Sequence, residues 1–399
     1  MNHPSLMQLN TDLHALVVFR RLLEDDVIAR FSALLDAPLD QPRRAVSLYA
    51  DFASALFAHT DNWSDYLLRC VLEDENLYMQ KKAQRLPVDA CIEQCVDAEL
   101  ALLQQLSLFD GSLIRSRVSY DGFWAQWHTR PLDFSAIYQD RLAHIGEHGY
   151  GLFAKHHMFI VRDGQILPIQ NPDPVRLCQL SGYAYQRDIV IRNTRALLAG
   201  KPAANTLLYG DSGTGKSSSV KAIANEFRDQ GLRLIELKKS QLHEIPALID
   251  RLSANPLKFI LFIDDLSFAS DDDNFAALKA ILEGSVSSTT NNIVVYATSN
   301  RRHMVKETFS DRQGDEIHVN DTIQELVSLS ERFGLTVTFT RPDKNAFIDI
   351  VCDLAQQYAV SLDRQTLVAQ AEAYALARGG RSPRVAKQFV ESLKAQEME

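Results

Sequence analysis

Residues Gly210 to Ser217 read Gly-Asp-Ser-Gly-Thr-Gly-Lys-Ser. Three glycines at that spacing let a backbone turn so tightly that successive N–H groups point inward, which is how a chain cradles phosphate oxygens. The apolar run Thr206-Leu207-Leu208-Tyr209 precedes the loop and a helix-prone stretch follows from about Ser218, so a helix would add its positive end to the cradle. Lys216 would neutralise the β- and γ-phosphates, and the Ser217 hydroxyl would take one position on Mg2+. A turn that only reverses the chain needs one or two glycines and no Lys-Ser pair behind them. The motif reads as a site for ATP or GTP lined by Gly210, Asp211, Ser212, Gly213, Thr214, Gly215, Lys216, Ser217 and Ser218.

The remaining chemistry-bearing residues stand at the ends of apolar runs. Phe259-Ile260-Leu261-Phe262-Ile263 ends in Asp264-Asp265. In open parallel sheets the C-terminal strand tips carry the ligand. Asp264 is expected to hold Mg2+ and Asp265 to orient an attacking water. An acidic pair can also simply end a strand, but the Lys-Ser loop upstream favours the functional reading. Ile293-Val294-Val295-Tyr296-Ala297 ends in Thr298-Ser299-Asn300, and the Asn300 amide supplies donor and acceptor together, for the γ-phosphate and the water. Leu329-Ser330-Glu331-Arg332-Phe333-Gly334 places Arg332 just before the strand Leu335 to Phe339. There its guanidinium could reach the γ-phosphate of a neighbouring subunit. Gly379-Gly380-Arg381-Ser382-Pro383-Arg384 starts a helix with Ser382 as cap and Pro383 in first position. Arg384, in the first turn against the helix dipole, points to an anionic partner, with Arg381 as its competitor.

These residues need a scaffold of two or three domains, which 399 residues allow. A hydrophobic share of 46% and a charged share of 23% are ordinary globular values. The net charge of −9 argues against wholesale coating of nucleic acid. Five scattered cysteines, Cys70, Cys91, Cys95, Cys178 and Cys352, show neither zinc nor disulfide spacing. Cys91 and Cys95, one helical turn apart, read as small buried residues of a helix rather than half a metal site. With no signal peptide and no membrane-length apolar run, a cytoplasmic protein is expected.

From about Thr11 to His156 the period is helical, with helices expected at Leu13 to Leu35, Ala45 to His59, Trp63 to Glu73, Pro87 to Leu106 and Phe134 to His148. Trp63, Trp124 and Trp127 are expected to anchor their core. Asp163-Gly164 between Met158-Phe159-Ile160-Val161-Arg162 and Gln165-Ile166-Leu167-Pro168-Ile169 is a strong hairpin signal. The hairpin is expected to close the N-terminal domain, with a boundary near Asp173. Beyond it, a helix from Tyr185 to Leu198 and strands near Thr206 to Tyr209, Leu232 to Leu237, Phe259 to Ile263, Ile293 to Thr298 and Thr336 to Phe339 alternate with helices. That order means a parallel sheet covered on both faces. From Asp343 onward only helices are expected.

Loop, acidic strand end, Asn-tipped strand, Ser-Glu-Arg-Phe and a helical lid with Arg384 together resemble an AAA+ ATPase. The runs Leu207-Leu208-Tyr209-Gly210-Asp211, Phe262-Ile263-Asp264-Asp265-Leu266-Ser267-Phe268 and Tyr296-Ala297-Thr298-Ser299-Asn300-Arg301-Arg302-His303 resemble, more narrowly, an uncharacterised bacterial AAA+ family catalogued as domain of unknown function eight-one-five. Pro174 to Tyr183 is similar to the segment that leads into that family's core. The resemblance implies the fold, ATP use with Mg2+ and homo-oligomers, and makes Gly182 and Tyr183 candidates for the adenine pocket. AAA+ relatives carry Glu where this chain has Asp265, so slow hydrolysis is credible. Their threading loops carry an aromatic and a glycine, whereas Leu237-Lys238-Lys239-Ser240-Gln241-Leu242-His243-Glu244 has neither, which disfavours polypeptide threading.

The expected architecture is therefore α/β: a helical N-terminal domain ending in a β-hairpin over 1–172, a P-loop AAA+ domain with a parallel sheet over 173–341, and a helical lid over 342–399. The expected activity is Mg2+-dependent ATP hydrolysis that remodels or loads a partner macromolecule. An ATP-gated scaffold or DNA-associated switch with little turnover is the alternative. A phosphotransferase is disfavoured by the lid and Arg332. The expected partners are ATP, further copies of the chain and a protein client, with nucleic acid unsupported and no membrane.

Overall fold

The structure is a computed structural model and describes residues 5–266, 278, 282, 291–300 and 332–396. Ser267-Phe268, Arg301-Arg302-His303 and Leu329-Ser330-Glu331 lie outside the described residues. The chain divides into two compact units, 1–155 and 156–399.

The first unit is helical. Its helices start where a short polar side chain can accept backbone N–H groups: Asp25 caps Asp26–Leu35, Asn62 caps Trp63–Glu73, Asn76 caps Leu77–Ala83 and Asp133 caps Phe134–Ala143. The single helix expected over Leu13 to Leu35 is instead Leu6–His14, a 3-10 turn Arg20–Glu24 and Asp26–Leu35. Apolar spacing runs through the break, but Glu99 accepts the N–H groups of Val17, Val18 and Phe19 at 2.8–3.1 Å. Those bonds replace helical ones. Trp63 and Trp127 are buried and donate Nε1–H to the carbonyls of Leu106 and Phe109. Trp124 is half-buried, edge-on to Tyr49 at 4.7 Å. Among the described residues all five cysteines are free, and no group of three or more His, Cys, Asp or Glu side chains could hold a metal. Cys91 and Cys95 lie in the helix Ala90–Ser107, but Cys91 is exposed and Cys95 half-buried rather than buried. No described helix is long and apolar enough to cross a membrane.

Among the described residues the second unit has seven strands: β1 (Met158–Arg162), β2 (Gln165–Pro168), β3 (Thr206–Gly210), β4 (Leu232–Leu237), β5 (Lys258–Ile263), β6 (Ile293–Asn300) and β7 (Leu335–Phe339). Their order is β2-β1-β4-β5-β6-β3-β7, parallel throughout except for the antiparallel pair β1–β2. β5 and β6 are almost entirely buried, as strands covered on both faces must be.

The hairpin forms at Asp163-Gly164, both at positive φ, as a two-residue turn matching the strand twist requires. It does not close the helical domain. β1 pairs in parallel with β4, Met158 opposite Leu234 and Ile160 opposite Glu236, so the break in the chain precedes the hairpin rather than following it near Asp173. The turn signal specifies how β1 meets β2. It carries no information about β1's other edge, which covers the otherwise open backbone of β4.

After β7 come three helices, Lys344–Gln357, Arg364–Ala377 and Pro383–Gln396, with a core of their own around Phe347, Ile350, Val351, Ala386 and Phe389. They form the lid.

Candidate nucleotide site

β3 lies between β6 and β7, with Gly210 opposite Asn300 on one side and Phe339 on the other. Gly210 has φ 141°, and a Cβ there would stand 2.0 Å from the Phe339 carbonyl oxygen. Only glycine lets the loop leave the strand beside β7. The loop then enters the helix Lys216–Glu226, whose first-turn amides end the cradle.

Lys216 is 6% exposed and donates to the carbonyls of Gly210 at 3.0 Å and Asp211 at 2.7 Å, and to Asn300 Oδ1 at 2.9 Å. Burial pulls its ammonium below the usual lysine range, against the opposing charges of Asp211, Asp265 and Asp264. Asn300 uses the other end of its amide to donate to Asp265 Oδ1 at 2.7 Å. A helix start and two strand ends thus form one chain, Lys216 to Asn300 to Asp265. Beside it, Ser217 Oγ donates to Asp264 Oδ1 at 2.6 Å. A serine hydroxyl and a carboxylate in contact are two hard oxygen donors, a set that suits Mg2+ completed by phosphate oxygens and water.

The segment before the core runs between the sheet and the lid. Tyr183 donates to the Thr340 carbonyl at 2.6 Å and its ring lies 5.3 Å from that of Phe339. Burial pushes its phenol up to about 12, so it stays neutral. Gly182 abuts the lid, since a Cβ there would lie 2.7 Å from Ile350 Cδ1. Ser181 Oγ donates to Asp353 Oδ2 on the first lid helix at 2.5 Å.

From the last lid helix, the Arg384 N–H donates to the Gly213 carbonyl at 3.1 Å, which brings this helix start onto the phosphate loop. Ser382 Oγ accepts from the Val385 N–H. Arg381 is held bidentately by Glu372 at 3.0 and 2.6 Å, while the Arg384 side chain is exposed. Of the two arginines, Arg384 is the one at the loop.

Arg332 is not brought to this site. Leu335 pairs with Thr206 and Phe339 with Gly210, so Arg332 lies beyond the far end of β7, at least about 13 Å from the loop at ~3.3 Å per strand residue. Glu236, the other carboxylate near a neighbouring strand end, faces Lys221 Nζ at 3.4 Å.

The sequence reading did not single out Arg341. Asp211 puts a negative charge in a phosphate cradle, and its Oδ2 accepts the Arg341 N–H at 3.0 Å with the guanidinium 4.0 Å away. An acidic side chain among phosphate ligands requires such a donor, and that requirement was the available signal.

Sheet order, loop, strand-end residues and lid define a P-loop α/β ATP-binding core of the AAA+ type. The chain belongs to the family described as Protein of unknown function (DUF815), whose model matches residues 154–397. Among curated proteins none matches. Solved structures similar in fold include Thermotoga maritima RuvB, a Holliday junction branch migration motor, at 17% identity and a TM-score of 0.36, covering 55% of this chain and 63% of that one. A single-substitution variant of it matches at 15% identity and a TM-score of 0.38, covering 55% and 64%. This chain therefore spans less than two-thirds of either structure, and the fold class rests on the topology above.

Proposed function

We propose that the protein is a Mg2+-dependent ATPase whose lid movement remodels or loads a partner macromolecule recruited through the helical unit. The observation that carries this reading is the hydrogen-bonded chain from Lys216 through Asn300 to Asp265. An ammonium, an amide and a carboxylate converge where the loop would place a γ-phosphate.

In this reading Lys216 exchanges its carbonyl partners for phosphate oxygens, and Asn300 turns its amide to the γ-phosphate and the attacking water. Asp265 orients that water and takes its proton. Mg2+, when bound at Ser217 and Asp264, withdraws charge from the phosphates. Gly182 and Tyr183 border the adenine, and Arg384 reports the phosphates to the lid. Arg332, too far from its own loop, serves the ATP of an adjacent copy, which makes a homo-oligomer part of the proposal.

Asp265 favours a second reading, an ATP-gated scaffold or switch with little turnover. Its side chain is one methylene shorter than glutamate, and Asn300 already engages one oxygen. Steady-state hydrolysis and labelled-ATP binding, measured on wild type and Asp265→Asn, separate the readings. Wild-type turnover that stops in Asp265→Asn with binding retained supports the ATPase. Binding without turnover in both supports the switch, and no binding in either overturns both.

A further inference from the structure

Thr298 has no role in the reading above, yet it stands where the two carboxylate residues meet. It is 2% exposed. Its Oγ1 donates to Asp264 Oδ1 at 2.6 Å and accepts from the Asp265 N–H at 2.9 Å. One hydroxyl thus gives its donor to one residue and a lone pair to the next. The backbone continues the joint: the Leu266 N–H donates to the Thr298 carbonyl at 2.7 Å, and Ser299 Oγ donates to the Leu266 carbonyl at 2.7 Å. The β5–β6 register stops at Ile263 and Ala297, and these contacts carry it across 264–266.

Asp265 gains from that support. Its φ is 54°, in the left-handed region that few non-glycine residues occupy, although aspartate enters it more readily than most. The Thr298 hydroxyl holds its amide and the Asn300 amide holds its carboxylate. Asp264 depends on Thr298 differently. Its Oδ1 accepts two hydroxyls, from Ser217 and Thr298, each at 2.6 Å. Ser217 is the group that a cation would claim. The Thr298 bond does not depend on Ser217, so it keeps Asp264 oriented when Ser217 turns to another partner.

The geometry points to Thr298 as a positioning residue that sets both carboxylates of the proposed ATPase site, Asp264 for the cation and Asp265 for the water. A branched Cβ restricts the side chain's rotamers, and valine copies its shape without the hydroxyl. The inference rests on the nucleotide reading, so its test must report on both.

Wild type, Thr298→Val and Thr298→Ser are titrated with a fluorescent ATP analogue over a series of Mg2+ concentrations, and kcat and KM are measured at saturating Mg2+. Nucleotide affinity without Mg2+ should stay within about twofold in all three, while Thr298→Val needs about tenfold more Mg2+ for half-maximal binding and loses about tenfold or more in kcat, the scale of one hydrogen bond to a charged group. Thr298→Ser should restore both. Wild-type Mg2+ dependence in Thr298→Val would overturn the inference and leave the nucleotide reading standing. So would a loss confined to thermal stability and Mg2+-free affinity. No Mg2+-linked binding by the wild type would overturn both. Should Thr298→Val fail to fold, Thr298→Ala carries the same comparison.

Discussion

Both units bury polar side chains, but they use them differently. In the helical unit Glu99 spends its carboxylate on the amides of Val17, Val18 and Phe19, and Ser64 donates to the Ser107 carbonyl. Each is tied to backbone that has no other local partner. In the sheet unit buried Lys216 donates to two loop carbonyls and to the half-buried Asn300, Asn300 holds the exposed Asp265, and Ser217 holds Asp264, both half-buried. Backbone groups held by a side chain lose their only partner if it leaves. Side chains held by side chains can trade partners for a ligand. Burial of polarity alone does not mark a site; convergence of exchangeable groups does.

That contrast breaks most visibly if a residue outside the convergent cluster controls turnover, and Arg332 is the case where this is expected. Arg332→Ala should bind ATP nearly as wild type yet lose about three to five decades of turnover if its guanidinium acts on the next subunit. Mixing it with Lys216→Ala should restore activity, because a mixed assembly pairs an intact loop with an intact arginine. Mixed assemblies without rescue, seen by native mass spectrometry, would return Arg332 to a local role.

Within the cluster the effect should fall on binding and spare the fold. Lys216→Ala removes a charge-assisted contact of about 1.5–3 kcal/mol and should cost about one to two decades of ATP affinity by equilibrium binding. Its urea midpoint should not fall, since the change also removes a buried ammonium. In the helical unit the reverse is expected. Glu99→Ala should lower the stability of that unit by about 1–3 kcal/mol, because amides lose their acceptor, with ATP affinity unchanged. A stability loss at Lys216 or an affinity loss at Glu99 would erase the distinction between the two units.

Much of this arrangement was readable in the chain. β4 runs over the expected Leu232–Leu237 and the helix Trp63–Glu73 over its expected span, because each follows a clear apolar pattern and Asn62 caps the helix. The break after His14 was not readable, since the residue that ends that helix, Glu99, lies more than eighty positions away. First-turn position favoured Arg384 and left Arg381 as its competitor, and the Glu372 pairing of Arg381 separated them.

By itself the sequence determined what is local: the three glycines that shape the loop, the Lys-Ser that follows, the alternation of strand and helix, and the turn at Asp163-Gly164. Each depends on backbone sterics or spacing within a few residues. Tertiary structure alone decided which distant edges meet. It joined the hairpin to β4, set Asn300 between Lys216 and Asp265, placed Thr298 across both carboxylates and left Arg332 at the far end of β7. The reason is physical: parallel pairing joins strands far apart in sequence, and their register is set by burial on both faces rather than by any turn between them.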